Sequence, residues 1–406
     1  MKNKSNSKLF LVIITGILVG FPALITDTYL PSFPSLANFF NTSASNIQMS
    51  LMTTMVGIAL GQLIIGPLSD RYGRIAPLLI SMIFFVISTS LLINTESISS
   101  FIILRFAQGL TCSSGMVLSR AILTDSFTSQ ELAKALSFNT AILGFTPALA
   151  PVIGGIILTF TYWQGIFVFL LIFGCIIFFL CTRIKESHPK KKRILSSSQE
   201  LSKSLLAVIK NKEYWFYVLI FSFSMGVMFA YISSSPFIFQ QYYELSPLVY
   251  SILFGTNALA LALGALFSGF IKDQVNALRI GISGLAVMSI FTVTILLSGL
   301  TFIYFEASIF IMFIFDGMTY PSSTTLALEV NRKNAGTASS IHGATSFLFG
   351  GIISPLVGLG NILYSTSIGI IACAFATLFL SMGLVKYLNK TKLSLTLSDD
   401  EVTINV

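Results

Sequence analysis

Three ionisable side chains, Asp27, Arg105 and Asp316, lie within long apolar stretches of the sequence. A charge inside a bilayer is costly, so such a residue faces a water-filled cavity or a partner. Burial disfavours the ionised form of a carboxyl group, which makes Asp27 and Asp316 candidate proton-coupling residues. The alternative for each is structural: Asp27 can be hydrogen-bonded at a helix end close to Pro31, and Asp316 can stabilise a helix irregularity near Pro321.

Arg105 keeps its positive charge at any accessible pH, so it can tune a nearby carboxylate or contact a substrate. Gln108 follows one helical turn later on the same face and can share either role. The structural alternative is that Arg105 binds carbonyl groups of a neighbouring helix.

A short polar segment between two apolar stretches combines small residues with charges of both signs. Gly66 permits close approach of another helix, and Gly73 permits a tight turn. Asp70 can accept from basic groups or cap the next helix, while Arg71 and Arg74 anchor the turn. We interpret these five residues as a conformational latch that holds the two halves of the molecule together at one face. An ordinary solvated turn is the alternative.

Two prolines, Pro147 and Pro151, lie four residues apart in a later apolar stretch, and Gly154 and Gly155 follow them. Each proline removes a hydrogen bond within the helix and bends it, and the glycines allow another helix to pack closely. The pattern predicts a hinge or seal where two parts of the molecule meet. Tight packing without a hinge is the alternative.

The composition places all of these residues in a membrane. Of 406 residues, 54% are hydrophobic and 10% are charged, whereas a soluble domain carries roughly 25% charged residues. Twelve apolar stretches are long enough to cross a bilayer, and each must be helical because lipid cannot satisfy an open backbone. The stretches run roughly over 9–36, 47–67, 76–94, 98–119, 137–160, 163–182, 214–236, 248–271, 278–298, 302–326, 337–360 and 364–387.

The distribution of charge predicts how these helices are oriented. With the N-terminus inside, every one of the 24 Lys and Arg residues except Arg105 lies on the inner side, as cytoplasmic segments require. The outer loops are left with Glu96, Glu244 and Glu306. We therefore predict that both termini are cytoplasmic.

A basic, polar stretch divides the chain into two sets of six helices. The run Lys190–Arg193 in this stretch is interpreted as an anchor beside anionic lipid headgroups and not as a nucleic-acid site. The pattern that begins at Gly66 recurs at Gly269, as expected for a duplicated unit. We predict an N-terminal half at 1–182, a cytoplasmic central loop at 183–213, a C-terminal half at 214–388 and a cytoplasmic tail without fixed structure at 389–406.

No motif for enzyme chemistry is present in the sequence. A phosphate-binding Gly-x-x-x-x-Gly-Lys-Ser/Thr loop is absent, and neither the two histidines nor the four cysteines have metal-ligand spacing. We predict no metal, no cofactor and no catalytic residue, and we interpret His342 as a packed, hydrogen-bonded residue rather than a proton relay. A membrane-embedded enzyme or sensor, or a channel, is a rival class for which the chain offers no motif.

Three of these motifs resemble those of the major facilitator superfamily. Gly66–Arg74 is similar to its Gly-x-Leu-x-Asp-Arg-x-Gly-Arg loop, although Ile75 stands where a base often follows. Leu104–Gly109 resembles its helix-4 arginine motif. Ala150–Gly155 resembles the helix-5 motif of proton antiporters, with alanine where the first glycine is commoner. The resemblance implies an all-α membrane fold of twelve helices in two pseudo-symmetric halves.

Further segments resemble the Bcr/CflA group of drug efflux transporters, namely Asp27–Pro31, Ser119–Ile122, Phe229–Phe237 and Gly336–Ser340. This resemblance implies that Asp27 is the proton-coupling acid and that Arg105 is the essential arginine of helix 4. Val19 stands where some drug–proton antiporters carry a second acid, so coupling here would depend on Asp27 with less redundancy.

The resemblance implies a proton-coupled multidrug efflux transporter, a drug:proton antiporter of the bacterial inner membrane driven by the proton gradient. It would export small drugs such as bicyclomycin-like or chloramphenicol-like compounds by alternating access, as a monomer whose partners are drugs, protons and lipid. Aromatic side chains would give the cavity broad contacts, among them Tyr29, Phe229, Tyr231 and Phe237. A proton-coupled uptake symporter for a small metabolite is the alternative.

Overall fold

The computed structural model describes residues 6–188 and 205–404, and α-helices account for most of them. The basic run Lys190–Arg193 lies outside the described residues. The first six long helices are α1 (Lys8–Phe39), α2 (Ala44–Tyr72), α3 (Ile75–Ile93), α4 (Ile98–Ser126), α5 (Ser129–Phe160) and α6 (Trp163–Cys181). The second six are α7 (Lys212–Phe237), α8 (Pro247–Phe270), α9 (Gln274–Leu297), α10 (Phe302–Val330), α11 (Ala335–Leu356) and α12 (Ile362–Ile404).

The helix α1 is broken near the residues that the sequence singles out. Its regular part, Lys8–Asp27, is followed by a 3-10 turn at Leu30–Ser32 and a short α-helical segment at Phe33–Phe39. Pro31 lies in the turn, where its missing N–H cannot continue the helical hydrogen bonds. The carboxyl group of Asp27 is therefore placed at the last residue of the regular helix.

Among the described residues, eleven helices are long and apolar enough to cross a membrane, and of the twelve long helices α11 is the one left out. α11 is rich in Ser, Thr and Gly and contains His342, which is buried. It packs against α2 of the first half and α7 of the second. Protein therefore covers polar side chains of α11 that lipid would not accept.

The two halves use the same close packing between their second and fourth helices. In the N-terminal half, Gly109 of α4 lies against the backbone carbonyl of Thr54 in α2. In the C-terminal half, Gly317 of α10 lies against the carbonyl of Leu261 in α8. A residue with a Cβ would collide with this backbone, so glycine lets the helices approach. The predicted all-α fold is confirmed.

The N-terminal segment and the loop after α6 lie together at one face of the bundle. The side chain of Asn6 donates to the carbonyl of Arg183 (2.8 Å) and accepts from the backbone N–H of Lys185 (2.7 Å). We call this the inner face and the opposite one the outer face.

The two halves meet at the outer face. Gln48 of α2 donates to the carbonyl of Ser233 in α7 (2.9 Å), and Gln240 donates to the carbonyl of Pro31 in α1 (2.9 Å). Within residues 6–188 and 205–404, the other side-chain hydrogen bonds that join the halves lie at this face too. The cleft between the halves is therefore closed at the outer face.

Two details differ from the sequence predictions. Glu306 was assigned to an outer loop, but it lies in the second turn of α10 and is partly buried. The tail after Lys390 was expected to lack fixed structure, but α12 continues to Ile404. No glycine or proline interrupts this stretch after Gly383, so the sequence contains no strong signal that ends the helix.

Candidate functional site

The charged centre of the N-terminal half is formed by α1 and α4. Arg105 is fully buried, and its guanidinium lies over the ring of Tyr29, with Cζ 3.9 Å from the ring centroid. The ring of Phe167 lies 5.9 Å from the same atom. A desolvated cation stacked on an aromatic face is stabilised by the ring's quadrupole, so these rings accommodate the charge without an adjacent anion.

Polar contacts hold the guanidinium in this orientation. Nη1 of Arg105 donates to Oε1 of Gln108, and Nε2 of Gln108 donates to the hydroxyl of Thr89 (2.8 Å). Nη2 lies 3.4 Å from the carbonyl of Ile25. The pairing of Arg105 with Gln108 on one face agrees with their spacing, and the contact with Ile25 matches the structural alternative for Arg105.

Asp27 ends the regular part of α1, two residues before the Tyr29 ring on which Arg105 stacks, and among the described residues it forms no ion pair. Its carboxylate is 8% exposed and accepts a hydrogen bond from the hydroxyl of Thr26 (2.9 Å). Among the described residues, no basic side chain comes within 4.0 Å of the Asp27 carboxylate. A carboxyl group in such a place can exchange a proton without breaking a salt bridge.

The predicted cavity aromatics do not form a single cluster. Tyr29 packs against Phe33 (5.0 Å between ring centroids), and Phe33 lies 6.1 Å from Phe237 of the other half. Tyr231 contacts Phe313 at 5.0 Å within the C-terminal half. These aromatic side chains therefore cross the boundary between the halves through Phe33, which the sequence reading missed.

Phe229, the remaining predicted aromatic, packs against Gly350 of α11. It is 3% exposed in this conformation. The structure therefore places Phe229 at the contact between α7 and α11.

Asp316 lies at a separate site between α7 and α10. Its carboxylate accepts from Ser224 and from the hydroxyl of Tyr320 (3.2 Å), and the residue is fully buried. Ser224 also lies 2.5 Å from the hydroxyl of Thr319. These contacts join two helices, which favours the structural interpretation of Asp316 in this conformation.

His342 lies in the same region, with its ring 4.4 Å from the ring of Phe221. Among the described residues, its Nε2 has no hydrogen-bond partner. The predicted packing is observed, but a hydrogen bond at this nitrogen is not.

The charged residues of the predicted latch are bound together within the N-terminal half. Arg74 donates to Asp70 (2.5 Å) and to Asp125 of α4 (2.9 Å), and its backbone N–H donates to Glu186 (2.8 Å). Gly73 has a φ of +95°, a conformation that favours glycine. These contacts tie α2, α4 and the loop after α6 together on the inner face.

Two other latch residues have looser surroundings. A Cβ at Gly66 would meet nothing within 4 Å, so the close helix approach predicted there is absent in this conformation. Arg71 lies 5.3 Å from the ring centroid of Tyr72.

The proline-containing part of α5 lies where the two halves touch. Pro147 and Pro151 are both accommodated within the helix Ser129–Phe160. Gly154 lies against the carbonyl of Thr28 in α1, whereas a Cβ at Gly155 would be 3.1 Å from Leu248 of α8. The two glycines thus face opposite halves, and the hinge or seal predicted here lies on their boundary.

Sequence reasoning missed a polar group in the C-terminal half. Glu306 of α10 accepts from Thr256 and Asn257 of α8, each at 3.1 Å. Asn257 also donates to the hydroxyl of Tyr231 (2.8 Å). The sequence does point to Glu306, because this residue lies inside the predicted stretch 302–326. An ionisable residue within an apolar stretch is the criterion that identified Asp27.

Comparisons with known proteins agree with this architecture. A family model described as Major Facilitator Superfamily matches residues 12–355. An uncharacterized MFS-type transporter of Bacillus subtilis, YdgK, is 39% identical over 382 residues, which cover 91% of this chain and 93% of that protein. A bicyclomycin resistance protein homolog of Haemophilus influenzae is 29% identical over 362 residues, which cover 87% of this chain and 90% of that protein.

The fold also matches a solved structure. The crystal structure of a D-xylose-proton symporter aligns with a TM-score of 0.72 at 18% identity, covering 91% of this chain and 96% of that one. At this identity the likeness concerns the fold. Together with the sequence matches, it confirms the resemblance that the loop and helix motifs indicate.

Proposed function

This chain belongs to the Major Facilitator Superfamily and is a multi-pass membrane transporter, and from this premise we propose that it is a drug:proton antiporter. It exports small drugs from the cytoplasm of a bacterial cell, across the inner membrane, as a monomer with both termini inside. The proton gradient supplies the energy, and no cofactor takes part.

The position of Asp27 is the observation that supports this proposal. The carboxylate lies at the break in α1, four residues before Pro31, whose carbonyl accepts a hydrogen bond from Gln240 of the other half. A group there can respond to water on either side as the halves rock. Arg105 stays positively charged throughout the cycle, so protonation of Asp27 leaves the positive charge of Arg105 as the remaining buried charge of these two residues.

The substrate class is proposed from the relatives and from the aromatic side chains. A bicyclomycin resistance protein homolog is among the relatives. Tyr29, Phe33 and Phe237 are buried at the boundary of the halves in this conformation and would present flat apolar surfaces once the outer face opens. Such surfaces bind compounds of varied shape with little directional demand, which suits bicyclomycin-like and chloramphenicol-like drugs.

In the proposed cycle, opening of the outer face lets a proton neutralise Asp27, and the drug is released. Closure of the outer face and opening of the inner face return the proton to the cytoplasm. The latch residues Asp70, Arg71 and Arg74 stabilise one end state from the inner face. Pro151 and Gly155 let α5 bend against the opposite half.

Everted membrane vesicles with an acidified interior test this proposal. Wild-type protein should accumulate radiolabelled chloramphenicol inside the vesicles when the gradient is imposed. The variant Asp27→Asn should lose this accumulation while inserting at the wild-type level, because the amide cannot exchange the proton. Asp27→Glu should retain part of it, because the carboxyl group is kept.

The exposed residue Glu96 provides a matched control: Glu96→Gln removes a carboxylate from an outer loop and should leave accumulation unchanged. Wild-type accumulation in Asp27→Asn would remove Asp27 from the mechanism. Gradient-driven expulsion of a metabolite from these vesicles would instead identify an uptake symporter.

A further inference from the structure

A cavity of about 600 Å³ opens at the outer face where the two halves meet. We call this cavity the outer pocket. Its walls are formed by residues at or near the outer ends of helices in both halves, among them Pro31, Asn38, Gln164, Gln240 and Pro247. The volume lies within the range of about 300–1,000 Å³ that is typical of sites for small molecules.

The outer pocket has walls from both halves, and a hydrogen bond joins these walls. Gln240, in the segment that follows α7, donates to the carbonyl of Pro31 in the turn of α1 (2.9 Å). Both residues line the pocket. When the outer face opens, these two residues move apart. The pocket therefore has its present shape only while the outer face is closed.

The lining of the outer pocket is polar but uncharged. It includes the side-chain amides of Asn38, Gln164 and Gln240, and each amide can both donate and accept hydrogen bonds. Of the described residues that line the pocket, none is acidic or basic. A phosphate group, such as that of a lipid headgroup, therefore lacks the Arg or Lys that it prefers. The hydroxyl and carbonyl groups of an uncharged compound find several partners.

Two of these amides are available to a ligand. The side chains of Asn38 and Gln164 make no hydrogen bond within residues 6–188 and 205–404, and neither side chain is fully buried. A ligand can bind them without breaking a contact inside the protein, so each new hydrogen bond adds to its affinity.

Trp163 forms a fixed aromatic wall of the outer pocket. It is 3% exposed and packs edge-on against Phe39 and Phe167, with ring centroids 5.1 and 5.8 Å away. Phe39 and Tyr162 also line the pocket, and both are exposed. Flat rings beside amide groups suit a ligand with a flat apolar face and a polar edge. A wall that is already ordered reduces the entropy that binding costs.

We propose that the outer pocket binds an uncharged compound of drug size that has hydroxyl or carbonyl groups and a flat apolar face. The compound enters from the outer side and holds the outer face closed, because it contacts both halves and loses one set of contacts when they separate. At 100 times its dissociation constant, such a ligand shifts the ratio of closed to open forms by about 100-fold. The bound compound therefore stops the transport cycle from outside, whichever cargo and ion the cycle carries.

Tryptophan fluorescence of the protein in a lipid bilayer tests the binding without any drug or proton gradient. The probe is 4-nitrophenyl glucoside, an uncharged compound with several hydroxyl groups and a flat ring that absorbs where tryptophan emits. The chain has two tryptophans, so Trp215→Phe leaves Trp163 as the reporter at the pocket. We expect saturable quenching of Trp163. Its absence, including through lipid that fills the pocket, would overturn the proposal.

The other tryptophan provides the matched control for this titration. In Trp163→Phe the reporter is Trp215, which lies in the first turn of α7, about 33 Å along the helix from its outer end. Quenching of Trp215 should increase with probe concentration without saturating. Saturable quenching of Trp215 alone would place the bound probe at the inner face and refute the outer pocket.

Substitutions of the free amides locate the bound probe. Asn38→Leu and Gln164→Leu should each weaken its binding by about three- to tenfold, the effect of one hydrogen bond. Leucine has a similar size, and both positions have some exposure, so the fold should be kept. Gln241→Leu, at an exposed glutamine outside the pocket lining, is the control and should bind the probe as wild type does. Wild-type affinity in both Asn38→Leu and Gln164→Leu would overturn the proposal.

Hydrogen–deuterium exchange tests whether the bound probe closes the outer face. The reporter is the loop after α11, where a Cβ at Gly358 would collide with the amide of Gln48 in α2. Gln48 joins the halves by its bond to the carbonyl of Ser233, and neither Gln48 nor Gly358 lines the outer pocket. We expect the probe to slow exchange at residues 357–361, with a half-maximal effect at the concentration that half-quenches Trp163. Slower exchange at the pocket alone would refute closure by the ligand.

These outcomes are independent of the proposed antiport. Saturable quenching and slower exchange in a protein whose drug flux ignores the proton gradient would uphold the outer pocket and refute the antiport. Proton-driven drug export by a protein that does not bind the probe would uphold the antiport and refute the outer pocket.

Discussion

The two halves of the molecule share a scaffold but differ in charge. Each half joins its second and fourth helices through a glycine pressed against a backbone carbonyl, at Gly109 and at Gly317. The N-terminal half contains a buried cation, Arg105, and a buried carboxyl group, Asp27. Within the described part of the C-terminal half, Asp316 and Glu306 are held by hydroxyl and amide groups and by no basic side chain within 4.0 Å.

This difference in buried charge allows the two halves of one duplicated fold to have different roles in transport. The N-terminal half buries a fixed positive charge on aromatic rings, so the charge of this half depends on whether Asp27 is ionised. The carboxyl groups of the C-terminal half are solvated by neutral donors, which can reorient at small cost. The N-terminal half is thus suited to electrostatic coupling, and the C-terminal half to hydrogen-bond rearrangement.

The largest effect is expected from removing the cation. Arg105→Ala should reduce the initial rate of gradient-driven drug efflux by about 30-fold, since a desolvated cation–π contact contributes about 2 kcal/mol. Arg105→Lys should be intermediate, because it keeps the charge but loses the planar group that stacks on Tyr29. Arg279→Ala, at an exposed arginine of α9, is the matched control. Wild-type efflux in Arg105→Ala at equal protein level would contradict the electrostatic account of this half.

An intermediate effect is expected from disrupting the glycine contact between the second and fourth helices of each half. Gly109→Ala and Gly317→Ala should each lower the free energy of unfolding by about 1–3 kcal/mol, because the added Cβ collides with a backbone carbonyl. Denaturant or thermal unfolding in detergent measures the change. Gly144→Ala and Gly269→Ala, where a Cβ meets nothing within 4 Å, are the controls in the two halves. A lower free energy of unfolding in only one of the variants Gly109→Ala and Gly317→Ala would show that the two contacts are not equivalent.

The smallest effect is expected at Asp316. The variant Asp316→Asn keeps the size and one of the two acceptor oxygens, so Oδ1 still accepts from Ser224 while the new amide donates to the hydroxyl oxygen of Tyr320, and efflux should stay within about twofold of wild type. Asp316→Leu leaves these hydroxyls without a partner and should cost about 1–3 kcal/mol of stability. Efflux assays and thermal unfolding of both variants provide the test. Loss of efflux in a fully folded Asp316→Asn would make Asp316 a proton-coupling residue, the other role that its sequence position allows.

Much of the fold follows from the sequence because it depends on local properties. The length of each apolar stretch specifies a helix, and the motif around Asp70 and Arg74 specifies the turn between α2 and α3. The polar and aromatic contacts of Arg105 also follow, since a charge inside a span needs such surroundings from neighbouring helices.

The contacts that the sequence does not predict depend on the axial position of one helix relative to its neighbour. The contact of Gln48 with the carbonyl of Ser233 depends on the axial offset between α2 and α7. The contact of Asn257 with Glu306 depends in the same way on the offset between α8 and α10. The sequence contains no periodic pattern that specifies the axial offset between two helices. Glu306 was assigned to a loop because the positive-inside count takes no account of where acidic residues lie within a span.

The polar composition of α11 has a consequence for how the protein is made. A segment with this many hydroxyl groups and a histidine partitions weakly into lipid during synthesis, since insertion depends on hydropathy along the whole segment. The preceding helix α7 and the distant α2 supply the surface that retains it. Stable insertion of α11 therefore depends on α2, and deleting α2 from the chain should leave α11 outside the bilayer.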